Sequence, residues 1–546
     1  MKRFFYYILL TSIAIACHIE TPQRPVSRFT FTPEGGCTHP CEFTFTSESE
    51  NAESILWDFG DNTKKETGQS VKHTFPAAGT YKVKLIVKGV EGGSSGSTQA
   101  VHVDHVKPFS LSGGYNIPTD IVSDDKGNIY VSGTASGTVQ FDNEHVLQSK
   151  GGNDFFVAKF DSTLRCLWLY TDGSAGDDHG NAIALDKQNN VYLTGFVAGQ
   201  ISSWNKWNIL HRGSDDGFVA KINANGTLSW VKTFGGPMSD QGRSLAFYQA
   251  GEGEKLYLVG RVQGDNVTAN IDFNQSPRQK ANEHDGFFVL VNALNGTFGE
   301  PMMISGADTQ IPEAITVDLQ GNAYIVGLFN NTLQFPGPLK PINSINQTDA
   351  FVAKWSRIEG LQWLRRIGSG GNDYGYDIEV DGSGNVFATG MHSGTLEEFP
   401  LSSKGDENVY LLKWNADGKV LNGRNGFVDN DKDYHGGIAL TSAGNIVIAG
   451  SFSNSAQFPM KRGRSVSALG STDIFITEVD PDKLDPAGDF IAKFGGILED
   501  RVNKICVTKS GFVYAAGWFY GSPTYKAFQL EGKQDTENTF IVRYKL

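Results

Sequence analysis

Short runs of alternating apolar and polar residues fill most of the chain. The run from Tyr81 to Val87, in which Lys separates Tyr, Val and Leu, is typical. A period of two places one face of a strand in a core and the other in water. The 3.6-residue period of an amphipathic helix does not recur over a comparable length after the first residues. The pattern therefore predicts an all-β protein.

One short phrase, a polar turn followed by an apolar strand, recurs seven times. Its central residues lie 60 to 67 positions apart, at Tyr130, Tyr192, Tyr257, Tyr324, Phe387, Val447 and Tyr514. A second phrase follows each copy, as in the run from Asp154 to Lys159. Units of this length are typical of repeat architectures, in which stacked neighbours bury apolar faces that one unit cannot bury alone. Each unit has room for about four strands, the content of one propeller blade.

These phrases resemble the SBBP family of bacterial seven-bladed β-propeller repeats, over residues 106–546. By analogy with related propellers, the strand before each turn, such as 181–185, is expected to be innermost. The last unit lacks the outer strand that other units carry, as at 228–232, and residues 107–111 match that missing strand. We expect this N-terminal strand to complete the last blade and to close the ring without an open edge.

Residues 25–105 contain strand-like segments of their own. The phrase Trp57-Asp58-Phe59-Gly60-Asp61, followed by 73–83, closely resembles the PKD domain. That resemblance implies an immunoglobulin-like β-sandwich that acts as a spacer or contacts proteins or glycans. It implies interaction and not chemistry.

The first residues have the character of an export signal. A basic start and a short apolar run occupy residues 1–16, and the run is too short to cross a bilayer stably. The end of the run, just before Cys17, resembles the lipobox of bacterial lipoproteins. We expect cleavage there, lipidation of Cys17, a tether over 17–24, and an outer-membrane lipoprotein on the cell surface or the periplasmic face. Ordinary signal cleavage with a free Cys17 is the alternative.

Charge and cysteine content restrict the partners and cofactors. With 47 Lys and Arg against 60 Asp and Glu the net charge is −13, and the chain has no basic stripe for nucleic acid. In an oxidising compartment Cys37 and Cys41 are a candidate disulfide, whereas Cys166 and Cys506 lie in apolar strands and are expected to be buried thiols. No CxxC pair or His/Cys cluster indicates zinc.

Asp429, Asp431 and Asp433 have the alternate spacing of a calcium loop, but its glycine and distal glutamate are missing. No cofactor is therefore predicted, and calcium remains an alternative.

One polar position precedes every innermost strand. It is occupied by Asn116, Asp178, Asp240, Gln310, Asp373, Asp433 and Asp500. Such a ring could bind a cation or a polyol, or each side chain could cap its own loop by accepting backbone N–H groups, which its repetition favours. Departures from the repeat are better indicators of a binding face near the channel mouth: Asp178, His179, Asp240, Arg243, Glu313, Tyr376, Tyr434 and His435.

The sequence favours a binding or scaffold lipoprotein whose sandwich and propeller faces contact a glycan or a partner envelope protein. HExxH, GxSxG, phosphate-loop and dinucleotide motifs are absent from the sequence, so no enzyme is predicted. A propeller polysaccharide lyase or hydrolase that uses the His, Tyr and Arg residues is one alternative. A structural adhesin is another, because propellers host all three functions.

Overall fold

The chain divides into two compact units, Met1–His105 and Val106–Leu546. The computed structural model describes residues 24–32, 37–38, 42–76, 79–90, 92–104, 107–207, 209, 211–250, 253–264, 270–273, 279–280, 284–403, 407–425, 434–453, 455–458, 464–487, 492–525, 528–530 and 532–545. Helical structure among them is a 3-10 segment, Ser202–Trp207. No helix in the described ranges has the length and apolar character needed to cross a membrane.

Unit 1 consists of two sheets that share one core. Its strands are β1 (Phe29–Thr32), β2 (Cys37–Thr38), β3 (Glu42–Ser47), β4 (Ala52–Asp58), β5 (Glu66–Thr67), β6 (Ser70–Thr74), β7 (Gly79–Gly89) and β8 (Ser94–Asp104). One sheet has the order β1-β3-β6 and the other β2-β8-β7-β4-β5. Phe43 and Phe45 from the first sheet pack with Trp57 and Leu85 from the second, all fully buried. The alternating pattern of the sequence thus forms a two-layer arrangement.

Unit 2 contains the remaining strands. Its first half has β9 (Lys107–Ser110), β10 (Ser112–Gly113), β11 (Asn116–Ser123), β12 (Ile129–Ala135), β13 (Thr138–Gln140), β14 (Val146–Gln148), β15 (Asp154–Phe160), β16 (Cys166–Asp172), β17 (His179–Leu185), β18 (Val191–Val197), β19 (Asp216–Ile222), β20 (Leu228–Phe234), β21 (Gln241–Ala250), β22 (Gly253–Val262), β23 (Asn270–Ile271), β24 (Gln279–Lys280), β25 (Asp285–Asn292) and β26 (Met302–Ile304). Its second half has β27 (Gln310–Val317), β28 (Ala323–Leu333), β29 (Ile342–Ser356), β30 (Gly360–Ile367), β31 (Asp373–Val380), β32 (Val386–His392), β33 (Asn408–Trp414), β34 (Val420–Asn425), β35 (Tyr434–Leu440), β36 (Ile446–Phe452), β37 (Ser455–Phe458), β38 (Arg464–Ser467), β39 (Asp473–Val479), β40 (Ala492–Phe494), β41 (Asp500–Val507), β42 (Phe512–Phe519), β43 (Thr524–Tyr525), β44 (Phe528–Gln529) and β45 (Asn538–Lys545).

Seven four-stranded antiparallel sheets form the body of unit 2. We number them 1 to 7, with the strand orders β11-β12-β15-β16, β17-β18-β19-β20, β21-β22-β25-β26, β27-β28-β29-β30, β31-β32-β33-β34, β35-β36-β39-β40 and β41-β42-β45-β9. The first strand of each sheet contacts the first strand of the next, and β41 of sheet 7 contacts β11 of sheet 1. The contacts between first strands therefore make a complete circuit.

An apolar cluster fills each junction between consecutive sheets, including the junction of sheets 7 and 1. At the junction of sheets 1 and 2, for example, the rings of Phe155 and Phe218 lie 5.1 Å apart between centroids. Both faces of a sheet are buried in this arrangement, which explains why the strands carry runs of apolar residues within the alternating pattern. Each sheet depends on two neighbours for its core.

The recurring turn phrase has a local hydrogen-bonding cause. Asp124 Oδ1 accepts the backbone N–H groups of Lys126 (3.0 Å) and Asn128 (2.9 Å), and its Oδ2 accepts the Tyr130 hydroxyl at 3.2 Å. Gly127 between them has a φ of +80°, which glycine adopts readily. Equivalent bonds surround Asp186 and Asp318. The repeated tyrosine thus ties the turn to a buried strand.

Sheet 7 combines strands from opposite ends of unit 2. In the antiparallel pairing of β45 with β9, Phe540 lies opposite Ser110 and Ile541 opposite Phe109. The fully buried Asn116 adds a side-chain link, because its Oδ1 accepts the Thr539 backbone N–H at 2.7 Å. Segments more than 400 residues apart in sequence are therefore joined by main-chain and side-chain hydrogen bonds.

Asn116→Ala is expected to destabilise unit 2 by about 1–3 kcal/mol, because it leaves the Thr539 N–H buried without its acceptor. Chemical denaturation of the intact protein measures the change. Asn143→Ala, at an exposed turn, is the control and should change stability by less than about 0.5 kcal/mol. Equal effects of the two variants would show that the link contributes nothing.

Candidate functional site

A central cavity of about 500 Å³ lies where the seven first strands meet. Every sheet contributes one run to its wall: 120–123, 183–185, 244–247, 314–316, 377–379, 438–440 and 504–507. A second cavity of about 320 Å³, the mouth cavity, shares Asp120, Ser244 and Lys504 with it. A third cavity of about 700 Å³ shares Ser123 and Phe247 with the central cavity and lies beside the turns. The three spaces follow one another along the first strands.

The mouth cavity is built by a β-bulge at the same register of every first strand. A bulge inserts one residue without a partner across the ladder and redirects its side chain. The inserted residues are Thr119, Asn181, Arg243, Glu313, Tyr376, Gly436 and Asn503. All except Gly436 line the mouth cavity. One backbone irregularity, repeated in seven sheets, thus brings six different side chains to one place.

Several bulge side chains also bind the neighbouring sheet. Asn181 Nδ2 donates to the Gly242 carbonyl at 2.7 Å, and the Thr119 hydroxyl donates to the Gly180 carbonyl. Asn503 Nδ2 of sheet 7 donates to the Pro118 carbonyl of sheet 1 at 2.7 Å. These bonds hold the rim of the mouth cavity at a fixed width.

The charged bulge residues pair with each other. Arg243 Nε donates to Glu313 Oε2 at 3.0 Å, and Arg243 Nη2 bonds to the same oxygen. The pair is only partly exposed, so water screens it less than it would a surface pair. Arg243 and Glu313 therefore offer a ligand one fixed dipole across two adjacent sheets.

A second ion pair crosses the floor of the mouth cavity. Lys504 Nζ lies 2.7 Å from Asp377 Oδ1, and Asp377 Oδ2 accepts the Ile438 backbone N–H at 3.0 Å. Gly437 of β35 lies between the strands that carry Asp377 and Lys504. A side chain at this position would crowd the ion pair, because its Cβ would lie 3.2 Å from Asp377 Oδ2. Although burial opposes the charged form, the Asp377 and Asp120 carboxylates raise the pKa of Lys504. The Lys504 ammonium therefore stays charged where the mouth cavity joins the central cavity.

Glu379 lies deeper, in the central cavity. Burial, together with the negative charge of Asp377, raises the pKa of Glu379 to about 8. This carboxyl is therefore largely protonated at neutral pH and can donate a hydrogen bond into the channel.

An uncharged imidazole completes the mouth cavity. The His435 ring stacks on Tyr376 with 5.3 Å between centroids, and its Nε2 is buried without a hydrogen-bond partner among the described residues. Burial lowers the pKa of His435 to about 3. Burial also raises the pKa of Tyr376, aided by the Glu313 charge. Both rings are neutral at physiological pH and present polar atoms beside aromatic faces.

Four predicted site residues meet in this cavity: Arg243, Glu313, Tyr376 and His435. The other four do not line it. His179 stacks on Phe196 at 4.6 Å between centroids, and Tyr434 lies under the Arg501 guanidinium at 3.5 Å from the ring centroid.

Asp178 and Asp240 are corrections to the predicted binding face. Both are fully buried and accept backbone N–H groups of their own loops, from Ser174 and from Gly236 at 2.6 Å. Asp373 and Asp500 do the same. Since the Oδ2 atom of each of these residues accepts a loop N–H group, these side chains act as caps of their own loops.

Seven of the eleven residues that line the mouth cavity were not predicted: Thr119, Asn181 and Asn503 from the bulges, and Asp120, Ala182, Ser244 and Lys504 next to them. A signal was present. Proline or glycine precedes the inserted residue in five of the seven strands, at Pro118, Gly180, Gly242, Pro312 and Gly375. Glycine in a strand often marks a bulge, and proline within sheets is confined to edges or bulges.

Comparison with known proteins gives two family matches. Residues 23–104 match the PKD domain family, and residues 362–391 match the β-propeller repeat family SBBP. The chain contains a PKD domain and an SBBP repeat. The PKD domain covers the two-sheet unit 1. The SBBP repeat runs from the outer strand of sheet 4 to β32 of sheet 5 and includes Asp373, Tyr376 and Asp377.

Whole-chain comparisons are distant. No curated protein matches the chain. A virginiamycin B lyase from Staphylococcus aureus is 7% identical, with 80% of this chain and 98% of that chain covered and a TM-score of 0.40. An ulvan lyase of a polysaccharide lyase family is 9% identical, with 75% and 93% covered and a TM-score of 0.40. These values support no statement about activity.

Several predicted sites lie outside the described residues. They are the signal segment 1–16, Cys17, Cys41, and the calcium candidates Asp429, Asp431 and Asp433. Of Cys37 only the backbone, in β2, is described. Cys166 and Cys506 are buried free thiols, as predicted.

The buried aspartates that cap the loops should make the stability of unit 2 depend on pH, and Asp500 is the clearest case. Burial raises the pKa of Asp500 from 3.8 to about 8, so the fold favours its protonated form. The contribution of Asp500 to stability is full below about pH 4 and is lost as the pH rises through 8. Asp500→Asn, which copies Asn116 at the equivalent position, should retain on the order of 1–3 kcal/mol more stability than the native chain between pH 5 and pH 8.

Denaturant unfolding at the two pH values measures this difference. Asp125→Asn, which alters an exposed carboxyl, should keep the native pH dependence. If Asp500→Asn keeps it as well, the Asp500 carboxyl is ionised in the fold.

Proposed function

We propose that this chain is a lipid-anchored binding protein of the bacterial cell envelope whose mouth cavity receives a glycan. Its seven sheets are the blades of one closed β-propeller, and β9 completes the seventh blade. The PKD domain and the propeller repeat support an extracellular binding or scaffold role. The convergence of six bulge side chains of five chemical types on one cavity is the observation that carries the proposal.

The chemistry of the mouth cavity suits a hydroxyl-rich ligand. Amide and hydroxyl groups of Asn181, Asn503 and Thr119 lie on its rim, and the Tyr376 and His435 rings give an aromatic surface. Arg243 pairs with Glu313, and Lys504 lies near the Asp377 and Asp120 carboxyls, so a neutral sugar encounters groups of both signs. A volume of about 320 Å³ is at the small end of ligand sites and fits a single sugar residue or one protein side chain.

Catalysis by a lyase or hydrolase is the second candidate, favoured by one observation. His435 is neutral, and its buried Nε2 lacks a hydrogen-bond partner among the described residues, which leaves an unprotonated, weakly basic nitrogen beside Tyr376 and within the same cavity as Arg243. A base in reach of a substrate proton is the first requirement for β-elimination. Turnover of envelope polysaccharides by the purified protein, abolished by His435→Ala, would favour this candidate over simple binding.

The mouth cavity makes a specific prediction for binding. Arg243→Ala leaves Glu313 without its cation and should weaken glycan binding at least tenfold, about 1.4 kcal/mol. Binding is measured on immobilised envelope glycans and then by calorimetry with the glycan retained. Arg165→Ala is the matched control, because Arg165 is exposed in the turn before β16 and pairs with Asp161 of the same turn.

Three outcomes separate the alternatives. Loss of glycan binding in Arg243→Ala alone supports the proposal. In the second outcome, the native chain recovers one envelope protein stoichiometrically from detergent extracts, and Arg243→Ala does not. That outcome would show that the ligand of the mouth cavity is a protein side chain and not a glycan. Equal binding by both variants would refute the mouth cavity as the site.

Anchoring through Cys17 is tested separately. Cys17→Ser should abolish incorporation of a labelled fatty acid and should move the protein from the detergent phase to the aqueous phase. Cys506→Ser, which removes a buried thiol, should change neither. Unaltered labelling of Cys17→Ser would exclude Cys17 as the lipid site.

A further inference from the structure

A cluster of three different ligand types lies where the β13–β14 hairpin meets sheet 1, and none of its residues lines the mouth cavity. Asp142 and His145 belong to the turn between β13 and β14, and Cys166 begins β16. One ligand atom from each residue, a carboxylate oxygen, an imidazole nitrogen and the thiol sulfur, lies within 4.8 Å of the other two. Residues separated by 21 positions in sequence thus meet at one point.

The turn fixes the first two ligands. Asp142 Oδ1 accepts the backbone N–H groups of Glu144 and His145, both at 2.8 Å. His145 Nδ1 lies 2.8 Å from the same oxygen. Because the turn itself orients the pair, little side-chain entropy remains to be lost when an ion binds.

The apolar core below the turn fixes its position against Cys166. Val139 and Leu147 on the two strands of the hairpin are fully buried in the same cluster as Cys166. Phe141, at the start of the turn, packs edge-on against Phe156 with 5.1 Å between centroids. The hairpin tip therefore cannot move away from the thiol without exposing this core.

The cluster has one closed side and one open side. Cys166 is 5% exposed, whereas the side chains of Asp142 and His145 are 31% and 23% exposed. Burial, aided by the nearby Asp142 carboxylate, raises the pKa of the Cys166 thiol to about 12. Without a metal the thiol is protonated, so an ion that binds there must displace its proton.

We propose that Asp142, His145 and Cys166 form a binding site for a divalent transition metal ion of the zinc type. Sulfur and imidazole ligands select such ions over calcium and magnesium, which take oxygen ligands. In a tetrahedral zinc site the sulfur and nitrogen ligands lie about 3.5 Å apart. The ligand atoms of the present cluster lie within 4.8 Å of one another, so it needs to contract by up to about 1.3 Å to hold the ion. The open side leaves the fourth coordination position to water.

Cobalt(II) is the probe, since its thiolate complexes absorb by charge transfer from sulfur to metal. The intact metal-free protein, titrated with Co²⁺, should develop this band with one equivalent of ion. Zn²⁺ should then displace Co²⁺ and bleach the band. Cys166→Ser should lose the band, and Cys506→Ser, the control for another buried thiol, should retain it.

Two further variants separate ligation from folding. Asp142→Asn keeps an oxygen acceptor for the turn N–H groups but removes the anionic ligand, and His145→Ala removes the nitrogen. Each should lower the affinity for Zn²⁺ at least about tenfold, a loss that even outer-sphere changes cause. Their thermal unfolding in chelator should match that of the native chain. Absence of the band from the native chain, or its persistence in Cys166→Ser, would overturn the proposal.

Discussion

Mutual burial between neighbouring sheets is the constraint on which unit 2 depends. Each sheet has an apolar cluster on both of its faces, so each needs a neighbour on either side. An open row of such sheets would expose two apolar faces to water. The contact between β41 of sheet 7 and β11 of sheet 1 buries both of these apolar faces. The central cavity lies where the first strands of this circuit meet.

In unit 2 the backbone repeats from sheet to sheet, whereas the side chains that line the mouth cavity differ. The bulge recurs at one register in all seven first strands, but the residue that it inserts differs in nearly every sheet. A repeated scaffold thereby holds an asymmetric set of polar groups, including the pair Arg243 and Glu313. The loop caps stay close to the repeat because their task, accepting N–H groups, is the same in each loop.

Sequence patterns predicted the features that depend on local hydrogen bonds and periodicity. The turn phrase, the four strands per repeat and the pairing of residues 107–110 with β45 all follow from comparing the repeats with one another. The patterns could not separate Asp178 from Arg243, because Asp178 immediately precedes β17, Arg243 lies near the start of β21, and only the bulge brings Arg243 to the cavity. The patterns also could not predict that Cys166 lies near His145, because this proximity depends on how the β13–β14 hairpin packs against sheet 1.

The position of β9 has a consequence for biosynthesis. Its partner β45 is made more than 400 residues later, so sheet 7 stays incomplete throughout most of translation and export. Until then the earlier segments present a free strand edge and an uncovered apolar face, both of which invite aggregation. A product that ends before Phe540 never covers them. Such fragments keep the free strand edge and the uncovered apolar face, so that burial of both depends on synthesis of the final strand.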